Sequence, residues 1–480
     1  MSDRTRRILA IAAVIVVGAG AVALSRSDPE PLAVASPARQ PADGATVPPE
    51  RSVSSAWYCA EGTSAATGRA RETVIIGNLE PRPLDVSVTV MPGGDTLPLS
   101  ESYELDAYEQ RRVEVAGIAE APEPGVVVEV FGGRAVVEHE IQSIAEDVAV
   151  GPCAGAASKR WYFAEGSTER GAEDWLALFN PFGDDAIVDV TFVDDGGLQT
   201  PEAGQALVVP RRSRISVPVH EIARRQGQLG VLVQARTGRI TAERTGIFDG
   251  TDTRSGITLA LGATDMATRW RFPILDVTQG TAESISIANF TEDAARVEVR
   301  VLLDGVTSLQ PETVDLTGNA IQRIEVGARA TVGSAYAVEV ASMNGTPIVA
   351  GAFGAWATPS AVIGVATTQG SVVASTQWAF AVGRLDADGE AVISALNLSG
   401  QPITVQLYAY TRGDPDSPTS APAEAVPPGE RVSFSLAARD VRPDQVIVVS
   451  ADGPIVAGRA ILGPGASLAP GVPFSPVIDQ

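Results

Sequence analysis

The chain is poor in the residues that most enzyme active sites and nucleic-acid interfaces use. Its 480 residues include only two histidines, His139 and His220, and one lysine, Lys159. No G-x-S-x-G, H-E-x-x-H or Walker sequence is present, so the usual nucleophile, zinc and phosphate motifs are missing. Lys and Arg total 36 against 58 Asp and Glu, a net charge of −22, which argues against a nucleic-acid partner. We therefore expect no catalytic residues, no metal and no cofactor.

Long hydrophobic runs are also scarce, and the one that stands out is at the N-terminus. Arg4, Arg6 and Arg7 precede an apolar run over 8–24. This pattern predicts a membrane anchor with residues 1–7 in the cytoplasm and the remainder outside. A cleaved signal peptide ending near Ala21-Val22-Ala23 is the alternative, and it would give a secreted protein. The Pro-rich stretch that follows, 25–55, is typical of an extended linker.

The rest of the chain is repetitive. Trp57, Trp161, Trp270 and Trp378 are spaced by 104, 109 and 108 residues, and each is followed after 21, 19, 19 and 19 residues by an Asn that ends an apolar run. An alternating stretch such as "AIVDVTFV" comes next in each case. The spacing predicts four repeats, with boundaries at 56–155, 156–265, 266–373 and 374–480.

The period of the apolar pattern predicts the architecture. Apolar residues alternate at two rather than at 3.6, and Val, Ile and Thr dominate, as in half-buried strands. About seven such strands per repeat, separated by turn residues, are typical of a β-sandwich. The repeat is too long for a propeller blade. We therefore predict an all-β protein of four tandem Ig-like β-sandwiches, each of about 105 residues.

Aromatic residues are few, 5% of the chain, and they recur at one place in the repeat. Positions 0 and +2 of a strand face the same way, so the Trp of repeats 2 to 4 shares a face with Phe163, Phe272 and Phe380. Large rings on one face indicate a domain core. An exposed platform for stacking sugars is the alternative.

Residues 161–197, beginning "WYFAEGSTERGAEDWLALFNPFGDD", resemble a repeat of exported actinobacterial proteins catalogued as a family of unknown function. The resemblance is close for repeat 2, fair for repeat 1 and weak for repeats 3 and 4, which lack the A-E-G and N-P segments. It implies an exported β-module and brings no catalytic residues.

The two cysteines, Cys59 and Cys153, bracket repeat 1. In an exported protein such a pair predicts a disulfide. A metal site is the weaker interpretation, because no further ligands have suitable spacing.

Two glutamate positions separate the repeats into pairs. Glu61 and Glu165 lie four residues after the Trp in repeats 1 and 2, where repeats 3 and 4 have Ile274 and Val382. Near the end of each repeat, Glu138 and Glu243 likewise stand where repeats 3 and 4 have Gly351 and Gly458. If the two positions are neighbours within one domain, each pair needs a partner. Arg244 and His139 are the expected structural partners; a Ca²⁺ or sugar site and a glycosidase acid pair are the alternatives.

Two functions follow from these patterns. The first is a non-catalytic, membrane-anchored scaffold or binding module that contacts a cell-wall polymer or an envelope protein. The second is an envelope glycan-active enzyme, or a cation- or sugar-binding protein, that uses the paired glutamates of repeats 1 and 2.

Overall fold

The computed structural model describes residues 44–50, 52–251, 254–277, 282–303, 309–330, 334–358, 361–381, 390–462, 467–474 and 477–478. The predicted cytoplasmic tail, the predicted anchor over 8–24 and most of the predicted linker lie outside the described residues. Within the described ranges, no helix has the length and apolar character needed to cross a membrane.

The predicted all-β class is confirmed, because nearly every element in the described residues is an antiparallel strand. We number the strands in chain order and group them into units 1 to 4. Unit 1 contains β1 to β8: Ser54–Cys59, Ala70–Asn78, Leu84–Met91, Leu99–Leu105, Gln110–Glu114, Gly125–Phe131, Ala135–Ser143 and Val148–Pro152. Unit 2 contains β9 to β17: Arg160–Phe163, Ala172–Asn180, Ala186–Asp194, Gly197–Gln199, Leu207–Val209, Ser213–Pro218, Gly230–Thr237, Thr241–Asp249 and Ser255–Leu261.

The second half of the chain continues in the same way. Unit 3 contains β18 to β25: Arg269–Val277, Ala282–Asn289, Ala295–Leu303, Glu312–Leu316, Ala320–Glu325, Ser334–Ser342, Val349–Thr358 and Ala361–Gln369. Unit 4 contains β26 to β35: Val373–Ala381, Glu390–Asn397, Ile403–Thr411, Asp414–Ser420, Glu424–Val426, Arg431–Ser435, Val446–Leu462, Ser467–Pro470, Val472–Pro473 and Val477–Ile478. Single helical turns connect some strands: Val115–Ile118, Glu202–Gly204, Val219–Ile222, Gly327–Arg329 and Ala437–Arg439.

Each unit consists of two sheets with one pairing order. In unit 1 the orders are β1-β6-β3-β4 and β5-β2-β7-β8, and units 2 and 3 repeat them as β9-β15-β11-β12 with β14-β10-β16-β17, and as β18-β23-β20-β21 with β22-β19-β24-β25. In unit 4 the long strand β32 serves both sheets. The sandwich character is thus shared by all units. The order differs from that of immunoglobulin domains, where the sixth and seventh strands lie in one sheet.

The alternating stretches form the third strand of each unit, and the Trp lies within the first. In β11, Val188, Val190 and Phe192 are fully buried, while Ile187, Asp189 and Thr191 between them are only partly buried, as period two requires. The four repeat tryptophans and Phe163, Phe272 and Phe380 are all at most 2% exposed. These rings are core residues, and none of them offers a face to a sugar.

The recurring Asn at the end of the second strand supports a turn in every unit. Its side-chain amide donates to the carbonyl oxygen four residues later, at 2.7 to 2.9 Å, and its carbonyl oxygen accepts from the backbone N–H two residues on. The residues are Asn78, Asn180, Asn289 and Asn397. A buried polar side chain must be hydrogen-bonded, which explains why this one position keeps Asn.

The four units form a closed ring rather than an open string. One strand near the end of each unit contacts its counterparts in a cycle: β8 with β17, β17 with β25, β25 with β33, and β33 with β8. A small central cavity of about 20 Å³ lies among these four strands, with room for about one water molecule. Unit 4 returns to unit 1 through the stacked rings of Tyr108 and Tyr410, whose centroids are 4.1 Å apart.

Candidate functional site

The four candidate glutamates all lie at boundaries between units, and all are buried. Glu138 and Glu243 are 0% exposed, Glu61 3% and Glu165 7%. Burying a carboxylate costs free energy unless the group is paired and hydrogen-bonded. The partners of each glutamate therefore indicate what it does.

Glu243 of unit 2 reaches into unit 1. Its Oε2 accepts hydrogen bonds from the backbone N–H groups of Ala60, at 3.1 Å, and Glu61, at 2.6 Å. The same oxygen lies 3.3 Å from Nε2 of His139. One carboxylate thus accepts the backbone N–H groups that follow strand β1 and lies within ion-pair distance of a buried imidazole of the neighbouring unit.

Glu138 occupies the equivalent place in unit 1 and pairs with unit 4. Its Oε2 lies 3.0 Å from Nη1 of Arg459, and both side chains are at most 1% exposed. Arg459 also donates to the carbonyl oxygen of Ala381 in its own unit. Burial raises the pKa of Glu138, and the guanidinium of Arg459 opposes that rise.

Glu61 and Glu165 pair with the unit that follows them in the chain. Oε1 of Glu61 in unit 1 lies 3.2 Å from Nη2 of Arg214, and Nη1 of Arg214 donates to the carbonyl oxygen of Gly62 at 2.5 Å. Glu165 of unit 2 accepts from the hydroxyl of Ser286 and lies 2.9 Å from Nη2 of Arg323, both in unit 3.

These contacts contradict the expectation that each glutamate pairs with a cation of its own unit. Arg244 does not serve Glu243; it donates to Asp174 of its own unit, with Nε 2.9 Å from Oδ1. The reason is strand alternation: successive side chains on β16 point to opposite faces, so Arg244 faces the interior of unit 2 while Glu243 faces unit 1. His139 likewise contacts Glu72, at 3.1 Å, and Glu243 rather than Glu138.

The two positions are neighbours across units rather than within one unit, so contact between them does not explain why repeats 1 and 2 carry both glutamates. The residues after the Trp motif of one unit contact the Glu or Gly position of the next unit in the ring. A Cβ on Gly351 would lie 3.0 Å from Cβ of Glu165, and one on Gly458 would lie 2.9 Å from Cγ of Pro273. Glycine therefore occupies the positions at which the preceding unit packs most closely against the backbone. Val382, the fourth residue of this type, lies outside the described residues.

The A-E-G segment has a packing explanation as well. A Cβ on Gly166 would lie 1.9 Å from Nη2 of Arg244, and one on Gly62 would lie 2.5 Å from Cβ of Glu72. Gly62 also has φ of +135°, which only glycine adopts readily. The segment makes room for a buried charged pair beneath it, and its Glu extends to the next unit.

Cys59 and Cys153 form a disulfide with an S–S distance of 2.06 Å. The backbone N–H of Cys153 makes the hydrogen bond to Val137 that Gly262, Gly370 and Gly471 make to the matching residue in units 2 to 4. In those units the glycine packs against Phe163, Phe272 or Phe380. The disulfide thus replaces an aromatic–glycine contact. Among the described residues, the candidate metal group is Cys59, His139 and Cys153, and the bonded sulfurs do not provide thiolate ligands.

Glu72 and His139, which lie in contact in the buried interior of unit 1, both have raised pKa values. Burial raises the pKa of Glu72 to about 7, although the hydrogen bond from His139 opposes the change. Burial lowers the pKa of His139, but the carboxylates of Glu243 and Glu72 outweigh it and raise the pKa to about 10. His139 is therefore protonated at neutral pH, where Glu72 is near the midpoint of its own titration.

Sequence reasoning missed the cations that serve the glutamates. Arg459 lies in the apolar run "PIVAGRAIL" and Arg214 in "RISVP". A single Arg inside an otherwise apolar strand is a signal for a buried ion pair, because charged residues are rarely buried without a partner.

Comparison with known proteins finds a match to an uncharacterised family and assigns no activity. A model for a family of unknown function, DUF5719, matches residues 145–362, which cover unit 2 and most of unit 3. A comparison with curated proteins finds no match.

Solved structures resemble parts of the chain only distantly. Thermotoga maritima 1070 is 17% identical over 22% of this chain and 94% of its own, with a TM-score of 0.21. The Anabaena sensory rhodopsin transducer is 16% identical over 18% of this chain and 88% of its own, with a TM-score of 0.16. A Salmonella alpha-2-macroglobulin is 12% identical over 91% of this chain and 31% of its own, with a TM-score of 0.15. These likenesses carry no argument about function.

Proposed function

We propose that the chain is a non-catalytic, membrane-anchored protein outside the cytoplasm that acts as a scaffold or binding module of the cell envelope. The observation that carries this proposal is the use of the candidate carboxylates. Glu61, Glu138, Glu165 and Glu243 each contact a residue of another unit. These contacts join neighbouring sandwiches, as expected of an architectural protein.

Two further features support the location. The positively charged segment before the apolar run 8–24 favours an N-terminus in the cytoplasm and export of the remainder. The disulfide between Cys59 and Cys153 is typical of an oxidising compartment outside the cytoplasm.

The experiment is a retention assay with the full chain in mild detergent. Immobilised protein is mixed with purified cell-wall polysaccharide, peptidoglycan or solubilised envelope proteins, with and without Ca²⁺. We expect saturable retention of one of these components. The Glu165→Gln variant should retain the same component, because Glu165 pairs with unit 3.

The enzyme alternative makes the opposite prediction. Incubation of the same glycans with the chain would release reducing ends, and Glu165→Gln would abolish the release while leaving the protein folded. That outcome would replace the scaffold proposal with a glycosidase.

A further inference from the structure

Unit 1 differs from the other units at three places in its interior. Cys59 stands where units 2 to 4 have Phe, and Cys153 stands where they have Gly. In strand register, His139 stands where units 2 and 4 have Arg244 and Arg459. Each of these differences introduces a side chain that binds metal ions in place of one that does not.

The three side chains lie together. The ligand atoms of Cys59, His139 and Cys153 are all within 4.8 Å of one another, and all three residues are 0% exposed. In a tetrahedral Zn²⁺ site, ligand atoms at the usual bond lengths are about 3.3–3.8 Å apart. Once the sulfurs are thiolates, small side-chain movements would therefore place all three around one ion.

The imidazole is oriented as that of a metal-binding histidine. Nδ1 of His139 lies 3.1 Å from Oε1 of Glu72, and a carboxylate on one ring nitrogen commonly directs the other nitrogen to the metal. That other nitrogen, Nε2, makes no hydrogen bond among the described residues. Glu243 lies 3.3 Å from it, and Oε1 of Glu243 also makes no hydrogen bond in the described part of the chain. Glu243 can thus provide a fourth ligand while Oε2 keeps its contacts to the backbone after β1.

We infer that unit 1, when its disulfide is reduced, binds one Zn²⁺ through the thiolates of Cys59 and Cys153 and the imidazole of His139. The disulfide and the metal site are alternative states of one cluster, because only a thiolate binds the ion. Thiolate and imidazole ligands favour Zn²⁺ over Ca²⁺ and Mg²⁺, which prefer oxygen. This inference goes beyond the proposed function and does not depend on it.

The reduction needs a reagent that supplies two electrons, and a phosphine is suitable. The phosphine takes the oxygen of one water molecule and becomes a phosphine oxide, the S–S bond breaks, and the two hydrogens of that water remain on the sulfurs. Binding of Zn²⁺ then releases both thiol protons and the imidazolium proton to solvent. Because the ligand atoms are enclosed, the ion enters while the reduced chain folds, as in structural zinc domains.

The test is refolding of the full chain in detergent. The chain is unfolded in urea with the phosphine, diluted into buffer that contains Zn²⁺ or the spectroscopic probe Co²⁺, and dialysed to remove unbound metal. We expect one Zn²⁺ per reduced chain and, with Co²⁺, the absorption of a tetrahedral thiolate-bound ion. A chain refolded with its disulfide intact should retain no metal.

His139→Arg restores the residue of units 2 and 4 and removes one ligand. It should weaken Zn²⁺ binding by about a hundredfold or more, since loss of an outer partner alone costs about tenfold to a hundredfold. Formation of the disulfide in the oxidised variant shows that it still folds. His220→Gln is the matched control: His220 is the other histidine and lies in unit 2, so the affinity should not change.

The variant with Cys59→Phe and Cys153→Gly imitates the interior of units 2 to 4 and should retain no Zn²⁺ under the same conditions. Three results would overturn the inference: no Zn²⁺ on the reduced chain, equal retention by the reduced and the disulfide-bonded chain, or an unchanged affinity in either His139→Arg or the variant without cysteines.

Discussion

The boundary between units 1 and 2 and the boundary between units 3 and 4 use the same positions in opposite ways. At the first, Glu243 caps the backbone of β1 and contacts His139, while Glu61 pairs with Arg214. At the second, Pro273 and Ile274 of unit 3 lie against Gly458 of unit 4. One boundary is held by buried charge and the other by apolar contact.

This difference teaches what the charged residues contribute. A buried ion pair gains little net stability, because desolvation offsets the attraction, yet removing one partner is strongly destabilising. Apolar contacts are tolerant of similar shapes. We therefore infer that the charged boundaries determine which units are neighbours, whereas the apolar boundary contributes mainly buried area. The following predictions test this comparison, from the largest expected effect to the smallest.

Arg459→Met should lower the free energy of unfolding by about 3–5 kcal/mol, because it leaves the carboxylate of Glu138 buried without its cation. Arg412→Met is the control at the same boundary: Arg412 is 57% exposed and lies 2.8 Å from Asp106, so its loss should lower stability far less than the loss of Arg459 does. Urea unfolding measures both. Equal effects would mean that burial does not distinguish these pairs.

Replacing both Cys59 and Cys153 by Ala should lower stability by about 2–5 kcal/mol, since the bridge closes a separation of 94 residues. Cys59→Phe with Cys153→Gly imitates units 2 to 4 and should recover part of that loss. Thermal unfolding of the two double variants under identical conditions makes the comparison. Identical midpoints would show that the aromatic–glycine contact does not substitute for the disulfide.

Glu165→Gln should cost about 1–3 kcal/mol, because it weakens hydrogen bonds to a charged group at the boundary of units 2 and 3. Ile274→Val, the apolar counterpart, should cost about 0.5–1.5 kcal/mol. Added salt should reduce only the first effect, because Arg323 is 22% exposed and screening acts on exposed charge. A salt-dependent effect of Ile274→Val would contradict the division into charged and apolar boundaries.

Stability should fall as the pH rises above neutrality. The pKa of His139 is raised from 6.5 to about 10, so its contribution is fully present below pH 6.5 and is lost as the pH rises through 10. Glu72, with its pKa raised from 4.5 to about 7, adds a decline of the same sign between those values. Between pH 8 and 9 one proton accounts for at most about 1.4 kcal/mol. In the His139→Gln variant the unfolding midpoint should depend less on pH over this range. An unchanged dependence on pH would assign the effect to other groups.

The strands and the core were accessible from sequence because they depend on local patterns. The alternation in "AIVDVTFV" reflects which residues face the interior of one sandwich, and Trp161 with Phe163 marks the same interior. The disulfide was also foreseeable, since Cys59 and Cys153 are the only cysteines. None of these inferences needs to know how one unit meets another.

The partners of the glutamates could not be obtained in this way. Glu138 and Arg459 are 321 residues apart, and no local periodicity relates them. The repeat alignment identified the right positions but placed the pairs within one unit, because it carries no information on the closure of the ring. The sequence by itself determined the strands, the repeat and the buried tryptophans, because each follows from side-chain alternation within a unit. Only the tertiary structure decided where Glu61, Glu138, Glu165 and Glu243 are directed, because contacts between units depend on the arrangement of whole sheets.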